Sequence, residues 1–377
     1  MQICKDARDI CRRSVENFLA VTASSRQSRV VTDGSASNSP TPRKRRPRYA
    51  GRNPRRFEDK YKERDPQRHP DTIEKVLASG KTPAGTHRPI MVAEILEVLA
   101  PEPGKIAVDC TLGYGGHARE ILERIQPGGR LIGLDADPLE LPKTEARLRA
   151  LGFGPEIFHA HRSNFAGLPQ ILAAHGLAGA DLILADLGVS SMQIDDPSRG
   201  FSVKHEGPLD MRLNPERGQP ASALLKKLKP EAFAELLTEN ADEPRAAELA
   251  AALAGKAFAT TTALAEAIRA ASPRLKKDDA DLAVRRVFQA LRIAVNDEFS
   301  ALDTLLRMIP GSLAPAGRVA ILTFHSGEDR RVKKAFEAGL RDGTYSEISR
   351  EVIRPGPEEQ RSNSRSSPAK LRWARKR

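Results

Sequence analysis

The residues best suited to chemistry in this chain lie between Ile106 and Asp137. A glycine turn, Gly113-Tyr114-Gly115-Gly116, follows an apolar segment, and glycine allows such a sharp turn because it has no Cβ. The N-terminus of a helix behind that turn would present backbone N–H groups to a nucleotide-like ligand. Asp135 lies 22 residues after Gly113, at the end of the next apolar segment. Its carboxylate can accept hydrogen bonds from both hydroxyls of a ribose.

The turn alone leaves the identity of that ligand open. Its pattern, Gly113-x-Gly115-x-x-Ala118, also satisfies the loose dinucleotide fingerprint, and a tight turn that binds nothing is a third interpretation. Two observations favour S-adenosylmethionine over a nicotinamide dinucleotide. Asp109 lies at the end of the first apolar segment, where an acid can reach the cationic amino-acid end of S-adenosylmethionine. In addition, no nearby set of residues suits hydride transfer.

The segments that must position these residues alternate in type between residues 86 and 195. Apolar, β-branched segments are typical of buried parallel strands, and apolar residues three or four positions apart are typical of amphipathic helices. The strands are predicted at Ile106–Leu112, Arg130–Leu134, Glu156–Ala160 and Ala180–Val189, and the helices at Met91–Leu99, His117–Ile125, Pro138–Leu151 and Phe165–Leu177. Such alternation predicts a doubly wound parallel sheet, which binds ligands at the carboxyl ends of its strands. The residues at those ends are Asp109, the glycine turn, Asp135, Ser163–Phe165 and Asp186.

Residues 196–280 have a different character, because strand signals disappear and alanine-rich helical segments replace them. These helices are predicted at Glu231–Leu237, Ala246–Leu253 and Thr262–Ala270, with Thr262 as the N-cap. Beyond them the pattern predicts a long helix or broken pair over Asp281–Ile309, a buried strand over Arg318–Phe324, a helix over Glu328–Leu340 and closing strands at Ser346–Ile353 and Lys370–Trp373. We therefore predict a core formed by residues 86–195 and 281–377, with residues 196–280 inserted as a helical domain.

Basic residues are concentrated at the two ends of the chain. The formal net charge is +12, and residues 1–85 hold 20 Lys and Arg against 10 Asp and Glu, while residues 361–377 hold 7 Lys and Arg and no acid. The run from Arg43 to Arg56 contains eight basic residues, with Tyr49 inside it and Phe57 beyond it. Basic side chains bind phosphates and aromatic rings stack on bases, so the pattern indicates a nucleic-acid partner. Residues 1–85 lack a sustained apolar period and are predicted to be a basic, disordered extension.

Cysteine content and hydropathy limit which class of protein this chain can belong to. The three cysteines, Cys4, Cys11 and Cys110, are odd in number and lack CxxC spacing, so neither a disulfide framework nor a zinc site is predicted. No apolar run approaches the ~20 residues that a membrane span needs, and no secretory signal is apparent. We therefore expect a protein of a reducing compartment, the cytoplasm, with no metal and no membrane partner. The length of 377 residues allows one or two domains with a sizeable core.

Several longer motifs, taken in order along the chain, resemble those of one known family. They are Asp109–His117, Asp186–Asp195, Arg199–Ser202, Gly207–Arg212, Phe288–Ile293 with Val295 and Asn296, and Phe324–Ser326 with Glu328–Arg330. The sequence resembles the RsmH (MraW) family of S-adenosylmethionine-dependent methyltransferases over roughly residues 87–377, and several long motifs are far more specific than a glycine turn. The resemblance implies an α/β fold, with a Rossmann-like class I methyltransferase core and an all-helical insertion. It also implies that the enzyme methylates N4 of a decoding-site cytidine in 16S rRNA.

The resemblance further implies which residues bind the cofactor. Carried over motif by motif, they are Gly115, Gly116, His117, Asp135, Phe165, Asp186 and Gln193. Asp135 fits the ribose hydroxyls, and the ring of Phe165 can cover the adenine face. The Gly115–Gly116 backbone can approach the methionine carboxylate. Asp186 ends the fourth predicted strand, next to the position at which the methyl group must be presented.

The acceptor that the resemblance implies sets the catalytic requirement. The lone pair of cytosine N4 is delocalised into the ring, so N4 is a poor nucleophile. An enzyme must hold N4 in line with the methyl group and should accept a hydrogen bond from N4–H, which localises the lone pair. Asp186 or a carbonyl of the Leu187–Ser191 loop is placed for that role. Ser190, Ser191 and His325 are the second candidates.

The RNA of the small ribosomal subunit would also be held outside the cofactor site. The basic ends, together with Arg199, Arg212 and Arg292, are expected to bind the RNA backbone while the target base leaves its stack to enter a pocket. The chain departs from the family pattern in the insertion and near its end, for example at Leu282–Val287 and Asn363–Pro368. Two other functions stay open: a nicotinamide-dependent oxidoreductase, and a non-catalytic RNA-binding factor of ribosome assembly.

Overall fold

A seven-stranded sheet organises residues 89–377, the part of the chain that this computed structural model describes. Its strands are β1 (Ile106–Asp109), β2 (Arg130–Asp135), β3 (Phe158–Arg162), β4 (Ala180–Asp186), β5 (Leu313–Thr323), β6 (Tyr345–Ile348) and β7 (Lys370–Lys376). They lie in the order β3-β2-β1-β4-β5-β7-β6, parallel from β3 to β5 and antiparallel where β7 meets β5 and β6. The predicted Rossmann-like class I methyltransferase core is therefore confirmed. The predicted extension, residues 1–85, lies outside the described residues.

Helices cover both faces of this sheet, because its parallel strands are apolar on both sides. The helices are α1 (Val92–Leu99), α2 (Gly116–Ile125), α3 (Leu141–Ala150), α4 (Leu168–Ala174), α5 (Ser191–Asp195), α6 (Ala221–Lys227), α7 (Pro230–Ala241), α8 (Ala246–Leu253), α9 (Thr261–Ala270), α10 (Lys277–Asn296), α11 (Glu298–Ser312), α12 (Ser326–Arg341) and α13 (Pro357–Ser362). Alternate residues of β1 enter two different hydrophobic clusters. Val108 packs with α4, α11 and α12, whereas Ala107 packs with α1, α2 and α3.

A third hydrophobic cluster holds the helical insertion together. It joins α6, α7, α8 and α9 through buried residues such as Phe233, Leu249 and Leu264. Helix α10 contributes Val287 and Leu291 to the same cluster and runs unbroken through the predicted boundary after residue 280. The packing therefore places the first half of the predicted C-terminal core segment against the insertion, and the exact domain boundaries stay a prediction.

Several details of the helices and strands sharpen or correct the sequence-based expectations. The predicted long helix or broken pair is a pair, α10 and α11, separated by Asp297 with a left-handed φ of 50°. Thr262 as the N-cap of α9 is wrong, because Thr260 Oγ1 accepts the hydrogen bond from the Ala263 N–H at 3.2 Å. The two predicted closing strands form β6 and β7, which pair with each other in antiparallel orientation. None of the helices in residues 89–377 is both long and apolar enough to cross a membrane.

Candidate active site

A cavity of about 510 Å³ opens at the carboxyl ends of β1, β2 and β4. Open α/β sheets bind ligands at this edge, and the volume is in the range of small-molecule sites. Of the residues predicted to bind the cofactor or to act in catalysis, those on the cavity wall are Gly116, His117, Asp135, Phe165, Asp186, Ser190, Ser191 and Gln193. Gly115 and His325 lie outside the wall. The fold therefore brings together most of the residues that the resemblance assigned to the cofactor.

The glycine turn requires glycine for two different reasons. Gly115 is the N-cap of α2 with a φ of 80°, and a Cβ there would come within 2.9 Å of Thr144 Cγ2. A Cβ on Gly116 would overlap the ring of Pro89, which also lines the cavity. The N–H of Gly115 already donates to the Leu112 carbonyl at 2.7 Å. Gly115 therefore shapes the turn, whereas Gly116 forms part of the wall.

Asp135 is held at the end of β2 by two backbone amides. The N–H of Gly113 donates to Oδ2 at 2.7 Å, and the N–H of Asp137 donates to Oδ1 at 2.8 Å. Burial raises the pKa of Asp135 to about 6. A carboxylate offers about four lone-pair sites, so two remain for other donors. This geometry fits the predicted contact with the two hydroxyls of a ribose.

Asp109 does not reach the cavity, and the expectation that it meets the cationic end of the ligand is wrong. Its side chain is only 1% exposed, and Oδ1 accepts a hydrogen bond from the Thr111 N–H at 3.1 Å. Thr111 in turn accepts a hydrogen bond from the Asp186 N–H at 2.6 Å. Asp109 therefore shapes the turn that supports the end of β4, because its side chain folds back on its own backbone.

Phe165 and Gln193 occupy the same cavity wall and are both positioned by local hydrogen bonds. Phe165 begins a short 3-10 turn after β3, which Asn164 caps through a hydrogen bond from the backbone at 3.0 Å. The Oε1 atom of Gln193 accepts a hydrogen bond from the Ser190 N–H at 2.9 Å, and Nε2 donates to Asp137 at 2.8 Å. The predicted cofactor contacts of both residues stay a prediction.

Asp186 ends β4 with one uncommitted carboxylate oxygen. Oδ1 is buried and has no hydrogen-bond partner among residues 89–377, and Oδ2 lies 3.7 Å from Nδ1 of His117. Burial, and secondarily the charge of Glu328, raises the pKa of Asp186 to about 7. Nε2 of His117 donates to the Ile90 carbonyl at 2.9 Å, because a carbonyl can only accept. Burial also lowers the pKa of His117, so a neutral imidazole faces Asp186.

A second buried carboxylate, that of Glu328, lines the same cavity. It lies in the first turn of α12 and accepts a backbone hydrogen bond from the end of β5 at 2.8 Å. Oε1 is 3.2 Å from Nε2 of His325. Burial alone would raise the pKa of Glu328, but His325 and Arg292 outweigh burial and lower it. Glu328 therefore stays ionised, whereas Asp186 can exchange a proton near neutral pH.

Glu328 had no assigned role in the sequence-based prediction, although a signal for it exists. It follows His325 by three residues, which is the spacing of a capping box at the start of a helix. A capping acid directly after a buried strand points back to the strand end, where ligands bind. Glu298 and the segment Asn363–Arg365 also line the cavity. Neither carries a local signal, because each reaches the wall only through the tertiary fold.

The three arginines predicted to bind the RNA backbone are all ion-paired. Arg199 is 8% exposed, and its Nη1 donates to Asp137 at 2.7 Å, so its predicted role is wrong. Its Nη2 donates to the Leu213 carbonyl at 2.9 Å, which ties the loop after β2 to the insertion. The other two arginines keep partial exposure: Arg212 binds Asp210 at 2.7 Å and Arg292 binds Glu298 at 2.8 Å.

The cavity suits a positively charged, nucleoside-containing ligand. Its acidic wall residues are Asp135, Glu140, Asp186, Glu298 and Glu328. Such a wall attracts positive charge, and the free lone pairs of Asp135 suit a ribose. S-adenosylmethionine combines a ribose with a sulfonium, so the residues present fit this cofactor.

Comparison with known proteins agrees with this chemistry. Residues 84–377 match the model of the MraW methylase family. The chain is 47% identical over 355 residues to ribosomal RNA small subunit methyltransferase H 1 of Lachnoclostridium phytofermentans, which covers 92% of this chain and 96% of that protein. It is 48% identical over 341 residues to ribosomal RNA small subunit methyltransferase H 2 of Alkaliphilus metalliredigens, covering 88% and 97%. This chain therefore belongs to the MraW methylase family.

Proposed function

We propose that this protein transfers a methyl group from S-adenosylmethionine to N4 of a decoding-site cytidine in 16S rRNA. The observation that carries the proposal is the uncommitted, buried Oδ1 of Asp186 on the wall of the cavity that also contains Asp135. An ionised carboxylate oxygen accepts hydrogen bonds and cannot donate them. It therefore favours a methyl-accepting atom that carries a proton and can donate a hydrogen bond to it. The exocyclic amine of cytosine is such a group.

The cofactor site follows from residues already described. Asp135 would hold the ribose hydroxyls, Phe165 would cover the adenine, and Gly116, His117 and Gln193 would complete the wall. When bound, S-adenosylmethionine supplies a methyl group on a positively charged sulfur, so the cofactor carries the intrinsically difficult chemistry. The protein has to bind it, exclude water and orient the acceptor.

Asp186 performs the catalytic step that falls to the protein. By accepting a hydrogen bond from N4–H it localises the nitrogen lone pair and orients N4. N4 must lose one proton during methylation, and a carboxyl group with a pKa of about 7 can take that proton at neutral pH. Burial keeps this pKa high, and the charge of the ionised Glu328 raises it further. His325 is 3.2 Å from Glu328 and acts through it, so His325 is a positioning residue in this proposal.

The alternatives from the sequence are less well supported. The matching family is one of methylases, which decides against a nicotinamide-dependent oxidoreductase. A non-catalytic assembly factor would have no need of an acidic cavity that retains both Asp135 and Asp186. The relatives are named for the RNA of the small ribosomal subunit, which supports that RNA as the substrate and the cytoplasm as the place of action.

Methyl transfer to small ribosomal subunits tests this proposal. The subunits come from a strain that lacks this protein, and the methyl donor carries a tritium label. We expect label in the 16S rRNA and N4-methylcytidine at the decoding site by mass spectrometry of the nucleosides. Label on a different atom or a different nucleotide would contradict the proposal, and so would the absence of label with a protein that binds the cofactor.

A further inference from the structure

The segment before β7 closes one side of the cavity and contains an arginine with an unusual environment. Asn363, Ser364, Arg365 and Pro368 all line the wall. The segment is anchored from α13, where Oε1 of Glu359 accepts a hydrogen bond from the Met91 N–H at 2.9 Å. This anchor places the segment beside Pro89 and Ile90, which also belong to the wall.

Arg365 uses only part of its guanidinium within the protein. Its Nη2 donates to Oδ1 of Asp195 at 2.6 Å, across 170 residues of sequence. Its Nη1 is buried and has no hydrogen-bond partner in the part of the chain that the structure describes. The other arginine on the wall differs, because Nε and Nη2 of Arg292 both bind Glu298. Arg365 is therefore the wall arginine with a buried donor left for a ligand.

A buried donor without an acceptor is costly, and such groups are rare in native proteins unless a ligand or water satisfies them. We propose that Arg365 is an anion-binding residue of this cavity and that its ligand is an anionic oxygen. This oxygen could belong to the carboxylate of S-adenosylmethionine or to the phosphate beside the target nucleotide. The first possibility depends on the cofactor of the proposed function, and the second depends on its RNA substrate.

The wall supports both sources with specific contacts. The Gly113 N–H is already bound to Asp135 and the Gly115 N–H to Leu112, so these two amides of the glycine turn are not available to the carboxylate of a bound cofactor. A guanidinium supplies a further donor, and it also suits phosphate because its N–H groups match two oxygens. Apart from Arg292 and Arg365, the charged side chains on the wall are acidic, so an anionic group in this cavity has few other places to bind.

Three variants of the full chain separate the guanidinium from its surroundings. Arg365→Gln removes the donor and the charge. Asp195→Asn weakens the ion pair but keeps the guanidinium. Arg361→Gln is the matched control, because Arg361 lies in the same segment, is exposed and does not line the cavity. If circular dichroism shows that Arg365→Gln does not fold, Arg365→Lys is measured in its place, because lysine keeps the charge but not the planar guanidinium.

Calorimetry and kinetics then identify the anion. If the ligand is the cofactor carboxylate, Arg365→Gln weakens S-adenosylmethionine binding about 10- to 100-fold, which is the contribution of one charge-assisted hydrogen bond. The variant should still bind methylthioadenosine as the parent does, because that molecule lacks the amino-acid end. For the phosphate, cofactor binding is unchanged and the KM for small subunits rises by a similar factor. In either case Asp195→Asn and Arg361→Gln stay near the parent protein.

Two results would overturn the proposal. In the first, Arg365→Gln changes neither cofactor affinity nor KM. In the second, Asp195→Asn causes the same loss as Arg365→Gln, because the ion pair and not the free donor would then be what matters. Failure of the proposed function is distinguishable from both, because the parent protein would then not methylate small subunits, while the calorimetric comparison would still report on Arg365.

Discussion

Asp135 and Asp186 are the same type of residue at equivalent strand ends, and their environments give them different tasks. Asp135 accepts two backbone hydrogen bonds and keeps lone pairs for a ligand. Asp186 has a buried oxygen with no partner in the described chain, and its pKa is raised to about 7. These environments suit the roles that we propose, in which Asp135 binds the cofactor and Asp186 takes part in proton transfer.

Asp135→Ala should weaken S-adenosylmethionine binding by at least about 100-fold. The substitution would remove the two charge-assisted hydrogen bonds that we propose between Asp135 and the ribose, each worth about 1.5–3 kcal/mol. It also removes the acceptor for the Gly113 N–H, which helps to hold the glycine turn. Titration calorimetry measures the affinity, with Glu97→Ala as the control because Glu97 is exposed on α1. An unchanged affinity would remove Asp135 from the cofactor site.

Asp186→Asn should abolish the part of the pH dependence of kcat/KM that has its midpoint near 7. The proposed mechanism needs the ionised carboxylate, so the rate of the parent protein rises as the pH increases through the raised pKa of about 7. A rise near pH 6 should persist in the variant, because the pKa of Asp135 is about 6. Methyl transfer is measured from pH 5.5 to 9, with cofactor affinity measured in parallel.

Asp186→Asn is expected to lower activity but not stability. Folding raises the pKa of Asp186 from 3.8 to about 7, so the folded state binds this proton more tightly than the unfolded state does. The free energy of unfolding therefore falls as the pH rises from about 4 to about 7. Asp186→Asn should therefore be at least as stable as the parent above pH 7. If the variant were instead less stable there, or lost cofactor affinity as much as turnover, Asp186 would be a structural or cofactor-binding residue only.

At the scale of the helices and strands, the prediction from sequence was most accurate where one local signal dominated. Helix α8 has the predicted bounds, Ala246–Leu253, because its apolar spacing is regular. Strand β1 ends at Asp109, earlier than predicted, because the Thr111 N–H turns back to the Asp109 side chain. Strand β3 begins two residues late, because its register is set by pairing with β2, which no local pattern encodes.

The parts of the site that sequence did not predict depend on contacts between distant residues. The glycine turn, Asp135 and Asp186 follow strands, so topology alone gathers them at one edge. Arg365 meets Asp195 from 170 residues away, and Arg199 meets Asp137 from 62 residues away. Whether an arginine binds RNA or a buried acid depends on such packing, and for that reason the predicted role of Arg199 was wrong.

Arg199→Met should destabilise the fold by about 3–5 kcal/mol, because it removes the cationic partner of the buried Asp137 carboxylate. Arg212→Met is the matched control, since Arg212 also binds an aspartate but is partly exposed, and it should change stability by no more than about 1 kcal/mol. Denaturant unfolding at pH 7 measures both. Equal losses would show that the Arg199–Asp137 pair has no special part in joining the insertion to the core.

At the scale of the whole molecule, the uneven charge distribution suggests that different residues bind the cofactor and the RNA. The chain carries a net charge of +12, with the excess of basic residues at its ends, whereas the cavity wall is largely acidic. An acidic wall attracts a sulfonium cofactor and disfavours phosphates, with Arg365 as the one proposed exception. We therefore expect most of the RNA backbone to bind outside the cavity, and the run at 43–56 is the densest group of basic residues in the sequence.

Replacing the eight basic residues of the 43–56 run with glutamine should raise the KM for small subunits and leave cofactor affinity unchanged. Each phosphate contact that is lost should reduce the slope of log KM against log salt concentration by about 0.7–0.9, because fewer counterions are released on binding. The control removes eight exposed basic residues from the insertion and helices: Lys204, Lys226, Lys229, Lys256, Arg274, Lys276, Lys277 and Lys334. Both proteins lose the same charge, so a general electrostatic effect would raise KM equally in the two. A larger effect of the 43–56 run would show that this extension binds the RNA while the acidic cavity binds the cofactor.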